Sequence, residues 1–326
     1  MAHTDPISNK HVIGVDVGGT KVAAGIVNHL GEIGELTRVP MVCEGSAAEG
    51  FSAVAEAIDY LFSVAKQREL TVRGIGICAP GPLDPNTGMV INPPNVKCWR
   101  DYPLAAEVSK RYQLPVKIEN DANAAALAEV LWGKGNGYRH VFYFSVGTGI
   151  GTGLVLDGHI YNGRTGAATE GGHVSIDYRG PVCSCGKRGC IEAFIAGPAI
   201  AKRARAKLEA RSNSESAMLN FAKGKIDNVT CEVVSRAYAA GDALAKETLL
   251  ETVELLSVWL GNTIDLLEPD VIIIGGGVGP VLQTFISEIR ARLPAWCINP
   301  RCHEIPLVPA HYGANAGIAG GAALCN

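Results

Sequence analysis

Three cysteines crowd into one short loop, Cys183-x-Cys185-x4-Cys190, with Gly186 and Gly189 able to make the turns between them. Three thiolates at that spacing suit a tetrahedral zinc site that still needs a fourth ligand. The plain alternative is a redox-active or merely buried thiol group, which would leave the chain open to oxidation. Two glycine turns, Gly18-Gly19-Thr20-Lys21 and Gly147-Thr148-Gly149, each follow an apolar run. Glycine after a strand lets backbone N–H groups approach a nucleotide's phosphates with no Cβ in the way, although a tight hairpin alone also favours it. Asp16, just ahead of the first turn, is placed to hold Mg²⁺ directly or through water. Lys21 either neutralises phosphate charge or faces solvent. Neither GxxxxGK[ST] nor GxGxxG occurs, so a P-loop enzyme is excluded and a dinucleotide fold loses its main support.

The elements that must carry these residues show an internal echo. His11-Val-Ile-Gly-Val-Asp-Val-Gly-Gly-Thr20 is matched by His140-Val-Phe-Tyr-Phe-Ser-Val-Gly-Thr-Gly149, and both continue into another apolar strand. Each copy reads as a hairpin with a glycine-rich tip. Two related α/β domains facing each other would put the tips on opposite sides of one cleft. Helical spacing covers 48–69, a buried strand 72–79, and a Pro/Gly/Asn-rich loop 80–95 that is long enough to suggest function. A short strand over 115–119 leads through Asn120 into a strongly helix-forming run over 122–132 that stops at Gly133. Asp121 therefore sits at a helix start, where the helix dipole favours the ionised carboxylate that a general base requires. Asn120 is as well placed to cap that helix as to bind a ligand. Helices follow near 231–240 and over 243–267, the stretch 211–227 is polar, and a strand over 271–274 runs into Gly275-Gly276-Gly277. Gly276 and Gly277 are counted with the nucleotide site. A small-residue helix over 314–324 returns to the first domain as a hinge element. Strands alternating with helices make the class α/β.

With 326 residues the chain can bury a sizeable core in two domains. The formal net charge is −3 with no basic block, which argues against nucleic acid or anionic lipid as partner. The first ten residues are polar and lack the apolar stretch of a signal peptide, and no run approaches the roughly 20 apolar residues of a membrane span. A cytoplasmic protein with reduced, scattered thiols is the expectation, and the ten cysteines are not read as a disulfide framework.

Asp16-Val-Gly-Gly-Thr-Lys21, Glu119-Asn-Asp-Ala-Asn123, Glu170-Gly-Gly-His173 and Cys183-Ser-Cys-Gly-Lys-Arg-Gly-Cys-Ile-Glu192 occur together and in this order. In this the chain resembles the ROK (repressor, open reading frame, kinase) family of sugar kinases, and within it the bacterial ATP-dependent glucokinases, from about His11 to the C-terminus. The resemblance implies an actin-like, hexokinase-type (ribonuclease H-like) fold with a cleft between two lobes. The lobes are expected at 1–121 plus 312–326, and at 122–311 with the zinc loop and a dimer surface. It also implies ATP, Mg²⁺ and structural Zn²⁺, and a homodimer or homotetramer. His173 becomes the fourth zinc ligand beside Cys183, Cys185 and Cys190. Asn95, Asn120, Asp121, Glu170, His173 and Glu192 become the sugar ligands, a set of amides, carboxylates and one imidazole suited to hydroxyls that both donate and accept. Asp121 would take the proton from the sugar hydroxyl. His173 would meet zinc through one ring nitrogen and sugar through the other.

This chain departs from the family pattern at Gly171 or Gly172, where another residue is often found, and at Thr169, where glycine is common. Those changes bear on the pocket near C1 or C2. The loop Asn92-Pro-Pro-Asn-Val-Lys-Cys-Trp99 with Tyr102-Pro-Leu104 resembles the glucokinase version and favours glucose over fructose or an N-acetylhexosamine. N-acetylmannosamine or N-acetylglucosamine kinase and fructokinase are the nearest alternatives, and a polyphosphate-dependent glucokinase is a weaker one. A non-sugar ATPase would have no use for the cysteine loop. A sugar-sensing transcriptional regulator is disfavoured, because about ten residues before the first strand are too few for a helix-turn-helix.

Overall fold

The computed structural model describes residues 10–211 and 215–326. The polar N-terminal stretch and part of the polar run 211–227 lie outside the described residues. The strands are β1 (Lys10–Val17), β2 (Lys21–Val27), β3 (Ile33–Pro40), β4 (Thr71–Ala79), β5 (Leu83–Asp84), β6 (Met89–Val90) and β7 (Val116–Asn120), then β8 (His140–Val146), β9 (Ile150–Leu156), β10 (His159–Ile160), β11 (Val271–Gly275) and β12 (Leu307–Pro309). The α-helices are α1 (Ala47–Gln67), α2 (Leu104–Tyr112), α3 (Asp121–Trp132), α4 (Glu192–Ile195), α5 (Gly197–Ala210) and α6 (Ala217–Phe221), then α7 (Cys231–Ala239), α8 (Ala243–Leu267), α9 (Gly279–Gln283), α10 (Ile286–Arg292) and α11 (Ala316–Ala323).

Two five-stranded sheets run β3-β2-β1-β4-β7 and β10-β9-β8-β11-β12, beside a small β5-β6 ribbon. The orders correspond strand for strand, so the echo heard in the sequence is an echo in topology. In the first sheet β1 is antiparallel to β2 and parallel to β4, with Asp16 opposite Ala23 and Cys78.

The chain divides into two compact units. One comprises the described residues up to Tyr143, Gly153–Thr169 and Ala310–Asn326; the other comprises Phe144–Thr152 and Glu170–Pro309. α3 groups with the first unit rather than starting the second, as the boundary expected after Asp121 would have had it. The reason is packing: this alanine-rich helix lies against α11 and β10, which belong to the same unit.

In the first unit, the face of β1 carrying Ile13, Val15 and Val17 packs with Val54, Ile58 and Leu61 of α1. Helix α1 starts at a capping box, in which Ser46 Oγ accepts from Glu49 N and the Glu49 carboxylate accepts from Ser46 N. The opposite face receives α11, whose small residues let its backbone touch the sheet. A Cβ on Gly76 would stand 1.7 Å from Gly321 O, so glycine is required there. In the second unit, α8 packs on α5, α7 and α10. Its Trp259 is fully buried, edge-on to Phe144 at 5.3 Å between ring centroids.

Candidate active site

On the first unit, the turn between β1 and β2 closes through Gly18 N donating to Lys21 O at 2.9 Å. The Asn95 backbone packs against it, since a Cβ on Gly19 would lie 2.9 Å from Asn95 O. The Cys43 thiol donates to Gly19 O. Lys21 is exposed. Asn120 is the N-cap of α3, with its Oδ1 accepting from Ala122 N at 3.0 Å and from Asn123 N at 3.3 Å. Capping is therefore its structural role, and its side chain also hydrogen-bonds the Asp121 carboxylate. Asp121 is the first residue of α3 and is exposed, with Oδ1 accepting from Ala122 N at 2.8 Å.

The expectation that the helix start keeps Asp121 readily ionised is corrected. Burial among surrounding atoms raises its carboxyl above the usual range, against the lowering effect of hydrogen bonds from Ala122 N and its own backbone. Exposure and desolvation coexist for this carboxylate: water reaches it, but protein displaces part of its hydration. The half-buried Asp16 is raised to about 6, first by burial and then by the charge of Asp121, with Lys21 opposing. Asp121 thus lies close enough to Asp16 for its charge to disfavour ionisation of the Asp16 carboxyl, an arrangement that a divalent cation would relieve.

A buried network that sequence reasoning missed stands behind Asp121. Glu119, which is buried, accepts from Asn120 N at 2.8 Å, from Asn162 Nδ2 at 2.8 Å and from Asn123 Nδ2 at 3.3 Å. Its only sequence signal is a second asparagine three residues after Asn120, on a helix otherwise almost wholly apolar where it enters the core.

On the second unit, Gly147 N closes its own turn onto Gly149 O at 2.9 Å, and Gly197 N donates to Gly147 O at 2.8 Å. A cavity of about 420 Å³ opens beside the turn, lined by Gly147, Thr148, Pro198, Arg205, Glu232 and Gly277 among others. That volume lies in the range of small-ligand sites. Gly276 sits behind it, with φ of +82° and packed onto Val146.

His173, Cys183, Cys185 and Cys190 offer ligand atoms all within 4.8 Å of one another. Cys183 Sγ is 3.6 Å from His173 Nδ1, and Cys185 Sγ is 3.7 Å from Cys190 Sγ. Tetrahedral zinc with ordinary Zn–S and Zn–N bonds demands edges of about 3.6 Å for S to N and about 3.8 Å for S to S. These two edges match that coordination, and with four protein ligands the cluster would be a closed, structural site. Facing the cysteines with Nδ1 leaves His173 Nε2 for another partner.

Glu192, expected as a sugar ligand, is more engaged than that role requires. Its Oε2 accepts from Ile150 N at 2.9 Å, while Oε1 accepts from Ser184 Oγ at 3.1 Å and Cys183 Sγ at 3.6 Å. It therefore links the second glycine turn to the cysteine loop, and only glycine at 149 allows it, since a Cβ there would sit 2.6 Å from Oε2. The exposed Glu170 heads a single 3-10 turn, Gly171–His173. Thr152 Oγ1 accepts from Gly171 N at 2.8 Å, and Trp259 Nε1 donates to Gly171 O at 3.1 Å. A Cβ on Gly172 would come within 2.3 Å of Ile150 O, so the glycines that depart from the family pattern follow from this close packing.

Comparison with known proteins agrees with this arrangement. A glucokinase of Halalkalibacterium halodurans is 32% identical over 97% of this chain and 94% of its own length. A ROK family glucokinase from Streptomyces griseus, solved in complex with glucose and AMPPNP, has a TM-score of 0.81 at 32% identity, covering 96% of this chain and 98% of that one. The xylose repressor of Caldicellulosiruptor bescii is 28% identical over 86% of this chain and 69% of its own length. Residues 12–326 match the ROK family as a whole, and the chain, in its actin-like α/β fold, belongs to that family.

Proposed function

We propose that this protein transfers the γ-phosphoryl group of ATP to the 6-hydroxyl of a free hexose, with glucose as the substrate. The observation that carries the reading is the paired carboxyls of Asp16 and Asp121, one on β1 beside a glycine turn and the other on the first turn of α3. In this reading Asp121 accepts the proton of the sugar hydroxyl. It does so late, as the hydroxyl oxygen bonds to phosphorus and the bond to ADP breaks. Such transfers pass through a loose transition state, so positioning and charge neutralisation contribute more than basicity. A carboxylate whose pKa is raised somewhat toward neutrality is a better base than an ordinary one.

Gly18 N and Gly147 N are committed to their own turns, so the N–H groups of Gly19, Thr20, Thr148 and Gly149 are the ones assigned to phosphate. Asp16 would hold Mg²⁺, which neutralises phosphate charge. The cavity beside Gly147 and Gly277 takes the nucleoside. Asn95, Asn120, Glu170, His173 and Glu192 bind the remaining hydroxyls. The cysteine loop, with zinc in place, would fix the His173 ring so that Nε2 faces the sugar. The enzyme is proposed to work in the cytoplasm as a homodimer.

A coupled ADP-release assay over glucose, mannose, fructose, N-acetylglucosamine and N-acetylmannosamine tests the proposal. Preferred turnover of glucose is expected. No turnover with any of the five would overturn it and favour a sugar-sensing role.

A further inference from the structure

We propose that Thr169 is a positioning residue for sugar binding, its hydroxyl tying the peptide that enters Glu170 to the helix start that carries Asp121. The proposal rests on the hexose-kinase reading for the roles of Glu170 and Asp121.

Thr169 has φ of +64°, the left-handed region, where a β-branched side chain is sterically disfavoured. Its Oγ1 lies 2.9 Å from Asn123 Oδ1 and 2.6 Å from its neighbour's carbonyl, Ala168 O, so its single hydrogen is shared between these two acceptors. The Asn123 amide can take only one orientation. Its Nδ2 donates both hydrogens, to Glu119 Oε1 at 3.3 Å and to Asn162 Oδ1 at 3.2 Å, so Oδ1 faces Thr169 as an acceptor. Asn123 is 1% exposed, and water is therefore a poor substitute donor. From Asn123 the network continues through Glu119 to the N–H of Asn120, the residue before Asp121. One end of this chain of hydrogen bonds is thus a peptide from Asp121 and the other a peptide from Glu170. A threonine held where glycine would be at ease, by a bond to a buried amide, fixes the direction in which the backbone leaves for Glu170 more tightly than glycine could.

Three variants separate hydroxyl, shape and strain. Thr169→Val keeps the shape and the strained φ and loses the hydroxyl. Thr169→Ser keeps the donor. Thr169→Gly removes the side chain where glycine suits the backbone, so it folds without strain. Glucose affinity is read by calorimetry without ATP, and kcat with the KM of each substrate by ADP release. We expect Thr169→Val and Thr169→Gly to bind glucose about tenfold more weakly, the effect of one lost hydrogen bond to a buried acceptor. Thr169→Ser should stay within about twofold, with the KM for ATP unchanged and kcat little altered in all three. Melting of Thr169→Gly at or above the wild-type temperature would show that the loss is not one of folding. Wild-type affinity in both Thr169→Val and Thr169→Gly overturns the proposal, as does an equal rise in the KM for ATP. A wild-type protein that binds glucose but does not phosphorylate it removes the kinase reading while leaving the Thr169 effect on binding measurable. One that does neither removes both.

Discussion

Replacing Asp121 by asparagine should make the protein more stable and far less active. The substituted amide can still accept from Ala122 N through its carbonyl oxygen, so the 2.8 Å bond at the start of α3 survives. What disappears is a charge in a desolvated place. The carboxyl of Asp121 is raised in the folded protein, chiefly by burial. A raised carboxyl pKa costs stability at any pH above the folded value and costs nothing below the unfolded value. At neutral pH the neutral amide removes that cost, and it also removes the second largest cause of the shift at Asp16. Folding is therefore expected to be unharmed or improved, read as an equal or higher melting temperature at pH 7. Turnover has the opposite sign. Loss of a general base lowers kcat by about 10² to 10⁴, or about 2.7–5.4 kcal/mol of transition-state stabilisation. Glucose binding, measured calorimetrically, should change little. Coupled ADP release would read kcat, with a differential scan on the same sample. Turnover within about fivefold of wild type would remove Asp121 from the chemistry, and a clear loss of thermal stability would refute the electrostatic part of the reasoning.

Protein purified without added metal should carry about one zinc per chain, as four ligands imply; elemental analysis finding none would rule the site out, and Cys185→Ser should lose the metal. The Asp16 carboxyl, at about 6 against an ordinary 3.8, gives two effects of opposite sign. As pH falls from above 6 toward 3.8, the metal-free protein regains the stability lost to its buried charge, while Mg²⁺, which needs the carboxylate, binds more weakly. The rise in melting temperature produced by Mg²⁺ should therefore shrink below about pH 6, and Lys21→Met should move that limit upward. Gly149→Ala places a Cβ where Glu192 Oε2 stands, so the carboxylate must give up Ile150 N. A hydrogen bond to a charged group contributes about 1.5–3 kcal/mol, and denaturant unfolding should show a loss of that order. An unchanged midpoint would mean that the link through Glu192 adds no stability.

Local chemistry made much of this protein legible. The cysteine loop declares itself because three of the four candidate ligands lie within eight residues of chain, so spacing almost dictates their geometry. The glycine-tipped hairpins and the start of α3 are short-range signals too: alternation, a turn, a capping asparagine and a run of alanines. Even the repeat between β1-β2 and β8-β9 could be read, because similar local sequence makes similar local structure. Other features depend on residues far apart in sequence. The division of the chain assigns α3 by what it packs against, α11 nearly two hundred residues later. The Glu119 network joins Asn123 to Asn162 and Thr169 across about forty residues. Glu192 turns out to hold Ile150 as well as the cysteine loop. The raised carboxyl of Asp121 reverses what the helix dipole alone would suggest, because burial by the rest of the fold outweighs one helix end. The sequence by itself determined which groups exist and how neighbours along the chain present them. Tertiary packing decided which distant groups share a hydrogen bond and how much water each retains, since desolvation and long-range contacts are properties of the closed fold.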